Sequence, residues 1–371
     1  MTGVGRRVYL DDAGSAPILS EVRTARLRAP AGNPSSIHTE GREARAALDA
    51  ARDRAGRALA VDPAGLVFCG SGTEAVNLGL LGAGRRLASG RSVVTWAAEH
   101  QSVLGAARRL MLDGLPVEVL PVDAAGLPDP SRIPAGAGLV SIGLANNETG
   151  QLQPVAEIAE RARAVGALVH VDCCQGPRWV RPPLELCDLA SFSGQKLGAG
   201  AGGLLYARRE LVLDPLQHGG PQEFGRRGGH VDVGQAVATS VALEVSARER
   251  DGRAAVAAPL ASRLREALRD AGGQVLGGAP RLPNFACAAF PDRRGEDLLL
   301  ALDLAGVAAS SGSACASGSL DPSHVLLAMG LSLEAALGSL RLTAGYDTEL
   351  DDVDRAIAAL RALPAPASAR G

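Results

Sequence analysis

The sequence predicts an α/β fold: a large domain with a mainly parallel seven-stranded sheet covered by helices, plus a smaller α+β C-terminal domain. Three observations predict it. Seven short apolar runs recur between residues 65 and 208, amphipathic helical stretches lie between several of them, and from about Val237 the alternation gives way to longer helical segments. In chain order the runs are GLVFCG (65–70), SVVTW (92–96), VEVLPV (117–122), LVSIGLA (139–145), LVHVD (168–172), LASFS (189–193) and GLLYAR (203–208). Continuous apolar runs of this length suit strands buried on both faces, as in a parallel sheet layered with helices. Helices are expected over Thr73–Leu81, Ser102–Met111 and Ala156–Val165. Beyond the sheet they are expected over Val237–Glu249 and Ala254–Ala271, leading into two or three short strands and more helix. The expected division is 14–245 for the large domain and 1–13 with 246–371 for the small one. The tail PAPASARG is Pro/Ala-rich and expected to fray.

Composition bounds the function. The 371 residues exceed what one small core needs, and the formal charge of −2 comes from mixed acids and arginines without a long basic run. That disfavours direct nucleic-acid or membrane-surface binding as the main task. The opening MTGVGRRVYLDDAG has no apolar signal core, and no run is long enough to span a bilayer, so a cytoplasmic location is expected. Six cysteines (Cys69, Cys173, Cys174, Cys187, Cys287, Cys315) form no CxxC pair, which suits a reducing compartment and argues against structural zinc or a disulfide framework. The vicinal Cys173 and Cys174 read as small apolar fillers at a strand end.

Lys196, in SFSGQKLGAG, is the only lysine among 38 basic Lys and Arg residues. Arginine replaces lysine as a surface cation but not as a nucleophile, because a guanidinium stays protonated and forms no imine. Lys196 is therefore either a chance survivor of an arginine-rich composition or a Schiff-base lysine. Its surroundings favour the second. Ligands of open parallel sheets sit beyond the carboxyl ends of the strands, and polar residues gather at those ends here. LVFC runs into GSGTEAVNLGLL, where helix-start amides with Ser71 and Thr73 would cup an anion. LVHVD ends at Asp172 with Gln175 three residues on, LASFS leads to Ser193, Gln195 and Lys196, and His100 follows VVTWAAEH. A phosphate cup, an acid for a pyridinium nitrogen, a stacking ring and one amine make up the requirements of pyridoxal 5′-phosphate. SSGSACASGS (310–319) is the second informative stretch. It places Cys315 among glycine, serine and alanine, where a chain is expected to be exposed and mobile and a thiol can act as a nucleophile. The alternative is an incidental cysteine in a linker.

These residues resemble the cysteine desulfurases of the iron–sulfur-assembly type, in the class V aminotransferase-like group of fold-type-I pyridoxal phosphate enzymes. The resemblance spans about Val8 to Leu363, through YLDDAGSAP, GNPSSIHTEGREAR, SGTEAVNLGL, AEHQSVL, ANNETG, HVDCCQ, SFSGQK, HGGPQE, SSGSACASGS with DPSHVLLAMG, and GSLRLTAG. It implies that Lys196 carries the cofactor as an imine, Asp172 pairs with the ring nitrogen, and Gln175 hydrogen-bonds the ring oxygen, near which Asn147 lies. His100 would stack on the ring and assist proton transfer. Gly72, Thr73, Ser193 and Gln195 would hold the phosphate, Asn33 and Arg341 would grip the substrate carboxylate, and Cys315 would take sulfur from L-cysteine as a persulfide, leaving L-alanine. A sulfur-acceptor protein and a homodimer are the implied partners.

Three positions depart from the family pattern. Gln195 stands where histidine is usual before the lysine, His230 (in GRRGGHVDV) where a threonine reaches across the dimer to the phosphate, and GAGAGG replaces the usual Pro-Lys-Gly. Either His230 of a second subunit restores the imidazole lost at position 195, or the cup has drifted. The chain stops soon after its last helical segment, so a specialised sulfur acceptor is expected as readily as an iron–sulfur scaffold. Two other readings stand beside this one: another class V enzyme (an aminotransferase or a selenocysteine lyase), which would leave the Cys315 loop without a task, and a non-catalytic binding subunit, which would leave the one retained amine without a reason.

Overall fold

The computed structural model describes residues 6–312 and 321–363, so Cys315 lies outside the described residues. After a two-residue strand β1 (Val8–Tyr9) come helices α1 (Ser20–Leu27) and α2 (Thr39–Leu59). The seven apolar runs then form β2 (Leu66–Cys69), β3 (Ser92–Trp96), β4 (Val117–Leu120), β5 (Ala137–Gly143), β6 (Leu168–Asp172), β7 (Leu189–Ser193) and β8 (Gly203–Ala207). All seven join one sheet in the order β2-β8-β7-β6-β5-β3-β4. Pairing is parallel from β7 through β6, β5 and β3 to β4, and antiparallel on both sides of β8. The sheet is thus mainly parallel, as expected.

Side chains of each strand alternate between two apolar layers. Leu66, Phe68, Val94, Ile142, Val171 and Leu204 pack on the face covered by α1, α2, α5 (Val155–Ala164) and the start of α7 (Val233–Asp270). Val67, Val93, Leu139, Leu189 and Leu205 pack on the other, under α3 (Gly72–Gly84) and α4 (Gln101–Leu112). Each fully buried aliphatic side chain contributes about 1.5–3 kcal/mol, so two such layers fix the strand tips from both sides. β4, at the sheet edge, has mostly exposed or half-buried side chains.

The two helices expected at 237–249 and 254–271 are one helix, α7, of 38 residues. Gly252 and Pro259 lie inside it, and local propensity alone would break it there at a cost of about 1 and 3 kcal/mol. Packing overrides that cost. Val233–Ser246 buries against the sheet layer, and Leu260, Leu264 and Leu268 bury in a second core with Phe290, Leu298, Leu342 and Val353. Between them Arg250 and Arg253 donate to the carbonyls of Pro177 and Tyr346. The second core contains an antiparallel sheet of β9 (Gln274–Val275), β10 (Phe285–Ala289) and β12 (Ser339–Thr343). It also takes Val8 and Leu10 from the N-terminus, where β1 pairs with β11 (Val307–Ala308). Among the described residues no helix is long and apolar enough to cross a membrane.

Candidate active site

A cavity of about 650 Å³ opens at the carboxyl end of the main sheet. Residues from six strand exits and from the second core line it, including Gly72, Thr73, His100, Asn147, Asp172, Gln175, Ser193, Gln195, Lys196 and Arg341. Ten of the positions singled out in the sequence therefore meet on one surface.

Asp172 is the last residue of β6 and 7% exposed. Its Oδ1 accepts from the Cys174 amide and the Ser191 hydroxyl, each at 3.0 Å, which fixes the carboxyl at the strand tip. One strand over, β7 ends at Ser193 and a single helical turn (α6, Gly194–Leu197) carries Gln195 and Lys196. Gly198 ends that turn at φ +79°, a conformation that costs glycine little, and so the turn closes beneath the lysine. The Lys196 ammonium and the Gln195 amide both donate to the Gly14 carbonyl. This places the only side-chain amine of the chain half-buried in the cavity wall.

Ser71 caps α3 by accepting the Glu74 amide at 3.1 Å. The helix begins one residue earlier than expected, at Gly72. A Cβ at Gly72 would lie 2.8 Å from both Cys174 Sγ and Ser193 Cβ, so only glycine lets the turn sit this close to the β6 and β7 exits. First-turn amides of a helix have no backbone partner within it, and those not taken by Ser71 face the cavity beside Thr73 and Ser193, an arrangement suited to an anion. His100 caps α4: its Nδ1 accepts the Ser102 amide at 3.1 Å. The proton of the neutral ring is then on Nε2.

Arg341 comes from β12 and is 3% exposed. It donates to the Asn147 carbonyl at 2.7 Å and to Asp11 Oδ1 at 2.9 Å, while its Nε is buried without a partner. Its neighbours across the chain are Ser310, with which it exchanges backbone hydrogen bonds, and Cys287. The segment that leads to Cys315 therefore leaves from beside Arg341. Gln175 donates to the Ala13 carbonyl at 2.8 Å.

Two expected residues are not brought to the cavity within this chain. Asn33 is exposed, its Oδ1 accepting the Ser35 amide at 2.9 Å in a local turn. His230 is exposed and lines a separate small depression with Arg227 and Asp232. Sequence reasoning also missed two contributors. Cys174, taken as filler, lines the cavity; burial pushes its thiol well above the ordinary value, so it stays neutral. Glu99, next to His100, lines it too. Its sequence signal was a carboxylate leaving an otherwise apolar strand.

The cavity suits pyridoxal 5′-phosphate on its own chemistry: an amine, a strand-tip carboxylate, a glycine cradle closed to any larger residue, and a buried arginine with an unfilled donor. The family profile described as Aminotransferase class-V matches residues 8–356. The chain belongs to this family, among its cysteine desulfurases. It is 35% identical to "Cysteine desulfurase IscS" of Dictyoglomus turgidum over 363 residues, covering 94% of this chain and 92% of that one. It is 36% identical to "Cysteine desulfurase IscS" of Methanosarcina thermophila, covering 95% and 90%. A solved "NifS-like protein" superposes with a TM-score of 0.88 at 30% identity, covering 95% of this chain and 98% of the other.

Proposed function

We propose that this chain is a pyridoxal 5′-phosphate-dependent cysteine desulfurase that converts L-cysteine to L-alanine and passes the sulfur, through a persulfide on Cys315, to an acceptor protein. The observation that carries the reading is the meeting of Lys196, the sole lysine, with Asp172 and Arg341 on one cavity. The relatives named as cysteine desulfurases support the reaction.

Lys196 is the residue to bind the cofactor aldehyde, Asp172 to hold the ring nitrogen, and Gly72, Thr73, Ser193 and Gln195 to hold the phosphate. His100, Asn147 and Gln175 would frame the ring. When bound, the cofactor supplies an electron sink for the carbanion left when the substrate loses its α-proton. Arg341 binds the substrate carboxylate, for which the planar guanidinium is suited, and Asn33 would complete that grip. The Lys196 amine would take and return protons near the substrate α-carbon, with His100 sharing that task. Overall, the substrate C–S bond breaks and a Cys315 S–S bond forms. Hydrogen replaces sulfur on the alanine β-carbon, so no external oxidant or reductant is needed.

The same reading includes a cytoplasmic homodimer, with His230 of one copy serving the phosphate cup of the other, and no direct nucleic-acid binding. It also keeps the division into 14–245 and 1–13 with 246–371; the two separate cores on either side of the middle of α7 support it. The test is Cys315→Ser in purified protein supplied with L-cysteine. Sulfur release should vanish while the protein stays yellow. Undiminished sulfur release would remove Cys315 from the reaction, and keto-acid formation in place of alanine would make the protein an aminotransferase.

A further inference from the structure

Glu99 is a carboxyl group in the cavity that none of the roles above uses. It follows β3, one residue before the α4 cap, and is 7% exposed. Its side chain crosses to the end of β5, where Oε1 accepts the Gly143 amide at 3.0 Å. Gly143 is the ladder partner of Asp172. A Cβ at Gly143 would stand 3.2 Å from Glu99 Oε2, so the glycine admits the carboxyl against the sheet end. On the backbone side, His324 Nε2 donates to the Glu99 carbonyl at 2.9 Å. The side chain thus spans the turn bearing His100 and the sheet edge bearing Asp172.

We propose that Glu99 is a positioning residue of the cavity: wedged between the His100 turn and the tip of β5, it sets the spacing of His100 and Asp172. The charged and titratable groups facing it are Asp172 from β6, His100 on its own turn, and His324 against its carbonyl. Burial, aided by the Asp172 charge, pushes the Glu99 carboxyl up to about 8, against the Gly143 hydrogen bond and His100, which pull it down. At neutral pH it carries a proton. A carboxylic acid kept neutral leaves Asp172 to bind a protonated ring nitrogen unaided, and above pH 8 a second anion arises beside it.

The inference rests on the cofactor reading above, and its test separates the two. Infrared difference spectra between pH 7 and pH 9 are recorded on protein without cofactor for wild type and Glu99→Gln. A protonated-carboxylic-acid band should be present at pH 7, decline by pH 9, and be absent from Glu99→Gln. The cofactor-loaded forms are then titrated by absorbance from pH 6 to pH 10. Wild type should show a component with a midpoint near 8 that Glu99→Gln lacks, the two spectra coinciding at pH 7. Glu99→Ala, which removes the acceptor of the Gly143 amide, should bind cofactor about tenfold more weakly at pH 7, with Glu99→Gln restoring the affinity. Infrared and absorbance titrations that coincide for wild type and Glu99→Gln would overturn the inference. Protein that shows the infrared band but takes up no cofactor would instead overturn the cofactor reading.

Discussion

Two regions that the sequence marked as parts of one site differ in how they are held. At the carboxyl edge of the sheet, Asp172, Ser193 and Lys196 stand at the ends of ladders buried on both faces. The Asn33 and His230 side chains are exposed: Asn33 accepts the Ser35 amide in a local turn, and the His230 carbonyl accepts from Arg227, which also pairs with Glu74. A strand tip has its position imposed by the chain's own core. Within this chain the Asn33 and His230 side chains lie outside the cavity that the strand tips line.

The predictions test that difference, starting with the largest effect. Lys196→Ala removes the chain's sole side-chain amine; cysteine turnover should fall by about 10²–10⁴-fold, and the protein should lose its bound yellow colour, measured by sulfide release and absorbance. Arg341→Ala should raise KM for cysteine about 10–100-fold, the equivalent of the roughly 1.5–3 kcal/mol that a charged hydrogen bond supplies, with a smaller change in kcat. Gly72→Ala drives a methyl into Cys174 and Ser193 and should destabilise the fold by about 1–3 kcal/mol in denaturant unfolding, with Cys174→Ala in the same chain recovering part of the loss. His230→Ala should weaken cofactor binding about tenfold without a stability change; unaltered affinity would leave the phosphate cup to the strand tips alone. Asn33→Ala should change stability by less than about 0.5 kcal/mol, so that any rise in KM reports a substrate contact rather than a folding defect.

One pH effect follows from the sheet edge. Glu99 binds its proton more tightly folded than unfolded, so the native state holds more protons between the ordinary carboxyl range and about 8. Stability then falls as pH rises through that window, by at most about 1.4 kcal/mol per unit from this group. Unfolding midpoints of Glu99→Gln should lack that slope.

What the sequence made legible follows the same divide. Six of the seven sheet strands were readable because doubly buried strands leave apolar runs that end in polar residues, and the half-exposed β4 by its β-branched residues; Asp172 and Ser193 were found by that ending, and Lys196 as the sole lysine. The continuity of α7 was not readable, because Gly252 and Pro259 speak locally for a break while the packing that overrides them comes from residues far along the chain. Glu99 was missed for a similar reason: its partner, the Gly143 amide, lies 44 positions away and is an unremarkable glycine in the sequence. Cys174 resembled filler until the fold set its sulfur against Gly72.

The central claim is that the one side-chain amine of this chain, on Lys196, holds the cofactor at the sheet edge. Borohydride reduction of the yellow protein, followed by peptide mass mapping, tests it most directly. A pyridoxyl adduct on the peptide containing Lys196 is the predicted result, and a reduced protein with position 196 unmodified would contradict the account.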